Sequence, residues 1–532
     1  MAETLQEAVD QTQEKKAWKP KYNPWLVAVI VTMAAFMEVL DTTIVNVALP
    51  NIAGTLGISY NDATWALTSY LVANGIVLTI SGWMARTIGR KKYFLICLAG
   101  FTLCSLLCGV SSSLAMLVLC RLLQGFFGGG LQPVQQSIIL DSFPPEKRAA
   151  AFSLTAIATI VAPVLGPLLG GWLTYNYAWK WIFFINVPFG IITCVLVGIF
   201  VEDPPWEKPI KSQIDIIGIA LVSLGLGCLE IMADRGEELD WFGSHFIVLM
   251  AVIGVSCTVG AILWLLHAKN PLLNLDVLKD RNFAVGTVLV GAMGVVLYAG
   301  AMLVPQFAQQ IMGYTAERAG MIMAPGGVFV ILLIPIVGIF MKHVQLRYLI
   351  ATGFTLVAFS FYFSARLYSD TSFTFLVLSR VVQIAPMAFL FVPISTLAFA
   401  TLPDRLNGDA SAMFSMVRNY LGSQAISYSG AGLVNCQQTH QNAMSGDMQT
   451  WRPEVQDYLR NVAQTAHDQG LPIADAQTFA MAKLYREFMV QVAMLSYNSM
   501  FHALALLSLL MVPICFVASS IKGGGPARGG AH

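Results

Sequence analysis

Charged side chains are scarce in this sequence of 532 residues. They make up 11% of it, against about 25% in ordinary soluble domains. Hydrophobic residues make up 56%, and the mean hydropathy is +0.66, so a soluble globular protein is excluded. Lys and Arg number 31 and Asp and Glu number 30. The net charge of +1 provides neither a basic surface for nucleic acid nor an acidic tail.

Motifs for metal, nucleotide or covalent chemistry are also missing. Eight of the nine cysteines lie inside apolar runs, the exception being Cys436, and their spacing indicates neither a disulfide framework nor a metal site. The seven histidines show no metal-ligand spacing. No G-x-x-x-x-G-K-[ST] loop is present to hold ATP phosphates. We therefore expect a protein that is not an enzyme, needs no metal or cofactor, and takes its energy from a gradient.

Apolar runs of membrane-spanning length, about 20 residues each, fill most of the chain. They predict an all-α integral membrane protein with fourteen spans. The predicted spans are 25–48, 65–85, 93–110, 114–140, 149–173, 182–201, 214–233, 246–267, 283–306, 319–341, 347–367, 373–400, 410–434 and 492–519. Because fourteen is an even number, both termini should lie on the same side of the lipid bilayer.

The distribution of basic residues predicts which side that is. With a cytoplasmic amino terminus, the inner loops and termini carry 20 Lys and Arg, whereas the short outer loops carry four. Cytoplasmic loops of membrane proteins are enriched in Lys and Arg. We therefore expect both termini to be cytoplasmic.

An internal repeat divides the chain. Residues 117–124 in span four recur as residues 376–383 in span twelve, and residues 82–86 at the end of span two match residues 338–342 at the end of span ten. Both matches pair spans one to six with spans nine to fourteen, a 6+2+6 plan in which spans seven and eight are inserted. Parallel halves are one repeat plan of secondary transporters. Chance similarity between apolar helices is the alternative.

This plan predicts five segments, ordered along the chain. They are a cytoplasmic segment 1–24, a six-helix half 25–201, a linker with the inserted helix pair 202–282, a second six-helix half 283–519, and a cytoplasmic glycine-rich tail 520–532. The second half includes a polar periplasmic segment 435–491, which either docks on a partner or is a solvated loop with a helical stem.

Two acidic residues, Glu38 and Asp41, lie three apart in the first predicted span and so on one face of a helix. Burial disfavours an ionised carboxyl group, whereas a nearby Arg favours it. An acid that reaches Arg121 in span four would hold that Arg when ionised and free it when protonated. We therefore interpret these three residues as a proton-coupling group. The alternative, stronger for Glu38 than for Asp41, is that the acids reach interfacial water and only pair with a packing Arg.

Three other charged residues lie in predicted spans, away from their very ends. Arg380 repeats the position of Arg121 in the second half, and we interpret it as a substrate or gating residue. Glu230, near the outer end of span seven, is expected to be interfacial. Arg418 is expected near the inner mouth of span thirteen, where it either anchors the helix or contacts substrate.

Span five contains small residues at four-residue spacing, Ala162, Gly166 and Gly170, with Pro163 and Pro167 among them. Small residues allow another helix to approach closely, and prolines allow bending. The span therefore serves either as a pivot or as a plain close-packing surface.

Four motifs together resemble the fourteen-span drug:proton antiporters of the major facilitator superfamily. They are residues 40–50 in span one, 121–125 in span four, 166–171 in span five and 181–188 at span six. The resemblance implies proton-linked roles for Asp41 and Arg121 and a pivot role for Gly166 and Pro167. The other residues that we assign to substrate binding or gating are Gly170, Asn46 and Gln124.

The resemblance also implies a function and partners. It implies export of hydrophobic small molecules in exchange for protons across the bacterial inner membrane, with an EmrA-like periplasmic adaptor and a TolC-like outer-membrane channel. A carrier of a specific metabolite, such as a fatty acid or siderophore, is the alternative on the same scaffold. A receptor would need a larger domain outside the membrane than segment 435–491.

One position departs from the family pattern. The cytoplasmic motif between spans two and three usually runs Gly-x-Leu-Ala-Asp-Arg-x-Gly-Arg, but here the acid is replaced by Arg86. A salt bridge made through that acid is therefore in doubt, and we expect another contact to close the cytoplasmic side.

Overall fold

The fold was described from a computed structural model covering residues 21–203, 215–268, 271–368, 371–403 and 406–522. Most of the predicted cytoplasmic segment 1–24 and of the predicted tail 520–532 lies outside these described residues. Four residues counted among the 20 on the cytoplasmic side also lie outside them, namely Lys208, Lys211, Lys269 and Arg405. Nearly all of the described residues are helical.

The side chain of Asn23 caps the amino end of the first helix, because its Oδ1 accepts a hydrogen bond from the Trp25 amide at 3.0 Å. Gly57, with φ of 66°, ends the same helix in the left-handed conformation. The longer helices of this half are α1 (Pro24–Leu56), α2 (Trp65–Ile88), α3 (Arg90–Gly109), α4 (Leu114–Gly128), α5 (Leu131–Ser142), α6 (Pro145–Asn176) and α7 (Asn186–Phe200). Short helices Tyr60–Ala63 and Trp181–Phe184 precede α2 and α7.

The inserted pair and the second half follow in the same all-helical pattern. The pair is α8 (Ile216–Arg235) and α9 (His245–His267). The second half consists of α10 (Arg281–Gln310), α11 (Ala316–His343), α12 (Leu346–Ser364), α13 (Phe373–Ile384), α14 (Ala388–Ala398), α15 (Asn407–Ser445), α16 (Pro453–Asp468) and α17 (Ile473–Cys515).

The predicted count of fourteen spans is not confirmed. In the described part of the chain, twelve helices are long and apolar enough to cross a membrane, or thirteen if the two parts of α6, bent by 44°, count as one span. The bend follows Pro163, which cannot donate a backbone hydrogen bond inside the helix. Helix α15, which contains predicted span 410–434, is not among these helices. It is too polar, because it is rich in Ser, Asn and Gln and carries Arg418.

Among the described residues, the two halves contact each other mainly through α6 with α11 and α2 with α15, and also through α5 with α15 and α6 with α14. Within the halves, α1 packs on α6 and α10 packs on α15. The inserted helices α8 and α9 pack on each other, and α8 also lies against α2 and α15. One inserted helix therefore contacts both halves.

Helices α15 and α17 are longer than a membrane requires. They contain 39 and 43 residues, or about 58 and 64 Å of helix at 1.5 Å per residue, against a hydrocarbon layer about 30 Å thick. Helix α16 lies between them in the sequence and packs on α17. Much of segment 435–491 is therefore helical and lies at one end of the bundle.

Candidate functional site

Asp41 on α1 and Arg121 on α4 form an ion pair in the interior of the first half. Arg121 donates a hydrogen bond through Nη1 to Asp41 Oδ2 at 2.5 Å, and both side chains are fully buried. Arg121 also donates to the Ala66 carbonyl through Nε at 2.9 Å, and its guanidinium lies 4.1 Å from the centre of the Tyr70 ring. These contacts hold the guanidinium in one position.

Two amides complete the surroundings of Asp41. Gln124 Nε2 donates to Asp41 Oδ1 at 3.1 Å, and its Oε1 accepts from Arg121 at 2.9 Å. Asn186 Nδ2 donates to the same Oδ1 atom of Asp41 at 2.8 Å. Asn186 lies in one of the motifs that carry the family resemblance, but no role was predicted for it. Arg121, Gln124 and Asn186 thus all donate to the carboxylate oxygens of Asp41.

Glu38 lies one turn before Asp41 and is also buried, with 2% of its surface exposed. Its Oε1 accepts from Asn74 Nδ2 at 2.9 Å and from the Tyr70 hydroxyl at 3.4 Å, and its Oε2 accepts from Gln132. Both acids are therefore buried among helices near the middle of α1.

Arg418 connects this group to the second half. It lies on α15, is fully buried, and donates through Nη2 to the Oε1 of Gln132 on α5. We expected Arg418 near the inner mouth of its span, which is wrong: a polar partner on the facing helix holds it inside the bundle.

Glu230 also corrects a prediction. It was expected to be interfacial because it belongs to the inserted pair, yet only 3% of its surface is exposed. Ser423 and Gln424 on α15 donate to its two carboxylate oxygens, the second at 2.6 Å. Asp234, one turn further along α8, accepts from Thr68 on α2. The contacts of α8 with both halves bring these acids inside.

A cavity of about 450 Å³ lies between the halves. It adjoins a smaller space of about 70 Å³, and the residues that line both include Asn46, Asp234 and Tyr298. Glu38 and Glu230 line the smaller space, and Pro167 lines the larger one. Exposed residues line the mouth of the larger cavity, namely Pro50, Gln309 and Gln310. The cavity therefore opens at the end of the bundle where α1 and α10 end.

The other end of the bundle, which we call the basic end, carries Arg86, Arg90, Lys91 and Lys92 and is closed. Arg86 on α2 forms an ion pair with Asp409 on α15, which joins the two halves. The Phe152 and Phe399 rings stack with their centres 5.7 Å apart. Arg86 occupies the position of the motif acid, and the acid of this ion pair, Asp409, is supplied by the second half.

Helix α6 makes close contacts at the small residues that the sequence singled out. A Cβ atom added at Gly166 would lie 2.1 Å from Thr43 Oγ1, and one added at Gly170 would lie 2.8 Å from the Ile44 carbonyl oxygen. Both contacts are with α1, the helix that carries Asp41. Pro167 lies between them and faces the cavity.

We predict that Gly166→Ala impairs transport and lowers the folded yield. The added methyl group must displace Thr43 or push α6 away from α1, and overpacking of this kind costs about 1–3 kcal/mol. Gly198→Ala on α7 is the matched control, because nothing lies within 4 Å of its added Cβ. Thermal stability and transport in proteoliposomes measure the effect. Equal behaviour of the two variants would show that the α1–α6 contact is not needed.

Arg380, the counterpart of Arg121 in the repeat, has different neighbours. It is 2% exposed and donates to Gln383, as Arg121 does to Gln124. Among the described residues, however, no carboxylate pairs with it, and its Nε and Nη2 atoms have no hydrogen-bond partner. The repeat has therefore kept the Arg and Gln positions, whereas the acid is present in the first half only.

The sequence matches the family model described as Major Facilitator Superfamily over residues 31–425. The chain belongs to the major facilitator superfamily. It is 35% identical over 509 residues to the "Multidrug export protein EmrB" of Escherichia coli (strain K12), covering 95% of this chain and 98% of that protein. It is 34% identical over 487 residues to the "Fatty acid resistance protein FarB" of Neisseria gonorrhoeae, covering 91% of this chain and 94% of that protein.

A solved structure shares the fold of this major facilitator superfamily chain. The crystal structure of the human organic anion transporter MFSD10 (TETRAN) matches with a TM-score of 0.55 and 14% identity, covering 92% of this chain and all of that one. Together with the family match, this confirms the resemblance seen in the motifs and the all-helical fold. The protein is a multi-pass membrane transporter of the superfamily, related to multidrug exporters, and not an enzyme.

Proposed function

We propose that this protein is a proton-driven antiporter that exports hydrophobic toxic compounds across the bacterial inner membrane. The observation that carries the proposal is the fully buried Asp41–Arg121 pair, one turn from a second buried acid, Glu38, that lines the smaller space beside the cavity. Ionisable residues inside membrane spans are costly and mark ion pathways and proton relays.

The basic end is cytoplasmic in this proposal, with both chain termini on that side. Support comes from the excess of Lys and Arg in the loops predicted to lie there. The larger cavity then opens to the periplasm, and the closed contacts, including Arg86–Asp409, face the cytoplasm. This is the conformation in which an exporter releases substrate and accepts protons.

The transport cycle follows from the charges. Proton binding from the periplasm neutralises an acid of α1 and weakens its hold on the polar groups around it, so the cytoplasmic side can open. Release of the proton into the cytoplasm restores the ionised state and allows substrate to be carried out. A proton that crosses ~100 mV supplies ~2.3 kcal/mol, and one pH unit adds ~1.4 kcal/mol. One proton thus supports roughly a 500-fold gradient of a neutral solute.

A panel of toxic hydrophobic compounds, applied to cells with and without the gene, tests this function. We expect the gene to protect the cells and an uncoupler to remove the protection, because the uncoupler collapses the proton gradient. If the uncoupler left the protection undiminished, proton-driven export would be excluded.

Export of a fatty acid is the second candidate, because FarB, whose name describes fatty acid resistance, is similar over most of the chain. Long-chain fatty acids and siderophores in the same panel separate the two functions. A single-substrate carrier would protect against one class only, whereas a multidrug exporter would protect against several unrelated ones.

The proposed pump acts in a tripartite system with an EmrA-like periplasmic adaptor and a TolC-like outer-membrane channel. Supporting this, segment 435–491 exposes large apolar side chains: Trp451 and Tyr485 are 71% and 61% exposed. Large exposed apolar side chains outside the membrane-spanning part are a feature of interaction surfaces. We therefore assign adaptor binding to α16 and the adjoining part of α17.

We predict that replacing residues 446–472 with a short Gly/Ser linker abolishes co-purification of an EmrA-like adaptor, because α16 is removed. Proton-linked transport in proteoliposomes should remain, since α16 packs on α17 and not on the helices that carry Asp41 and Arg121. Tyr175→Ala, which removes an exposed aromatic side chain at the end of α6, is the control and should leave adaptor binding unchanged. Adaptor capture by the deletion variant at the level of the parent would contradict the assignment.

A further inference from the structure

A continuous series of polar contacts runs from the ion pair in the first half to the second half. The Tyr70 ring lies against Arg121, and the Tyr70 hydroxyl donates to Glu38. Glu38 accepts from Gln132, which in turn accepts from Arg418 of the second half. Gln132 is 4% exposed, so water does not replace these bonds.

The direction of the two Gln132 bonds is what makes this series sensitive to charge. An amide side chain donates through its nitrogen and accepts through its oxygen. Facing an ionised Glu38, Gln132 must present its NH₂ group, which leaves its oxygen for Arg418. A protonated Glu38 is itself a donor, and it attracts the amide oxygen instead. The NH₂ group would then face the Arg418 guanidinium, which has donors only.

From this geometry we propose that Gln132 is a positioning residue that transmits the ionisation state of Glu38 to Arg418 and so to the contact between the two halves. The ionised state keeps the amide oxygen on Arg418 and the basic end closed. Proton binding turns the amide, breaks this contact and lets the basic end open. The inference rests on the proposed proton-coupled function and names the link between the proton and the gate.

The other ionisable groups around Glu38 agree with such a role. Those that face it from its own helix and from the helices around it are Asp41 on α1, Tyr70 on α2, Arg121 on α4, Glu230 and Asp234 on α8, Tyr298 on α10, and Arg418 and Tyr420 on α15. Arg121 is already engaged by Asp41. Arg418 is therefore the cation whose contact depends on Glu38, through Gln132.

Helix α5 offers two matched controls. Gln136, one turn further along, also bonds across the halves, but its partner is the neutral Ser415 at 3.2 Å. Gln135 bonds within the first half, to Thr155 at 2.8 Å. Replacing each of the three glutamines by Leu removes an amide of the same kind, but only Gln132→Leu removes a link to a carboxyl group.

The test measures how far the basic end opens as a function of pH, in full-length protein in lipid nanodiscs. Spin labels are introduced as non-canonical residues at Lys92 and Lys342, exposed positions on the two halves, so that the native cysteines remain. In the parent protein, lowering the pH should shift the population towards a larger label separation.

We expect Gln132→Leu to lose this pH response, whereas Gln136→Leu and Gln135→Leu keep it even if the populations shift at every pH. Glu38→Gln, which cannot ionise, should hold the larger separation at all pH values. A Gln132→Leu protein with the amplitude and midpoint of the parent would overturn the relay and leave the proposed function standing. A parent protein with no pH response would overturn proton coupling and the relay together.

Discussion

Asp41→Asn is expected to abolish proton-linked efflux while the protein still reaches the membrane in normal amounts. The variant keeps the size of the side chain but removes its charge, one of its two acceptor oxygens and its ability to exchange a proton. Arg121 retains the Ala66 carbonyl, Gln124 and the Tyr70 ring. We expect a fall in transport rate of about 100-fold or more, which corresponds to about 2.7 kcal/mol. The measurement is substrate efflux from proteoliposomes with an imposed pH gradient.

Substitutions on both sides of the pair provide the controls. Arg121→Ala should be as defective as Asp41→Asn, because it leaves a buried carboxylate without its cation. Asp41→Glu, which retains an exchangeable proton, should keep part of the activity. Asp457→Asn, which changes an exposed acid on α16, should transport normally. Near-normal transport by both Asp41→Asn and Arg121→Ala would show that the pair has no part in coupling.

Asp409→Asn is expected to open the basic end. The Arg86–Asp409 pair joins the two halves, and Asp409 is nearly buried whereas Arg86 is about one-third exposed. Since solvent screens the exposed partner, we expect a loss of only about 1–2 kcal/mol. That is a shift of about 5- to 30-fold away from the conformation whose cavity opens at the opposite end.

A cysteine at Ile426, which lines the cavity, reports this shift through its rate of labelling by a membrane-impermeant maleimide. The rate should fall in Asp409→Asn and return towards the parent value in Arg86→Asp/Asp409→Arg, which restores the pair with reversed charges. Arg452→Gln, which breaks an exposed ion pair in the outer segment, is the control and should not alter labelling. A labelling rate unchanged in Asp409→Asn would mean that other contacts alone hold the basic end closed.

The cost of charge inside a membrane explains why part of the site could be predicted from the sequence. Asp41, Glu38 and Arg121 stand out in apolar spans, and three-residue spacing puts the two acids on one helical face. Gln132, Asn74 and Asn186 do not stand out in this way, because a neutral amide costs less to bury than an ionised side chain. Their importance depends on which helices face each other, and hydropathy does not specify that.

Long-range pairing explains the other corrections. Arg86 and Asp409 are 323 residues apart, so only the packing of α2 on α15 brings them together. Glu230 was assigned to the interface because spans seven and eight lie outside the repeat, yet α8 packs against both halves. The hydropathy of helix α15 is too low to identify it as a membrane span. The polar groups that it buries, including Arg418, find partners on neighbouring helices.

The most direct test of proton coupling is the lumenal pH of proteoliposomes when substrate is added, with no proton gradient imposed. With a pH-sensitive dye inside, substrate moving down its own gradient into the lumen through the parent protein should drive protons out and make the lumen alkaline. Asp41→Asn should show no pH change. Substrate entry through the parent protein at an unchanged lumenal pH, or alkalinisation through Asp41→Asn equal to that of the parent, would contradict coupling through the carboxyl group of Asp41.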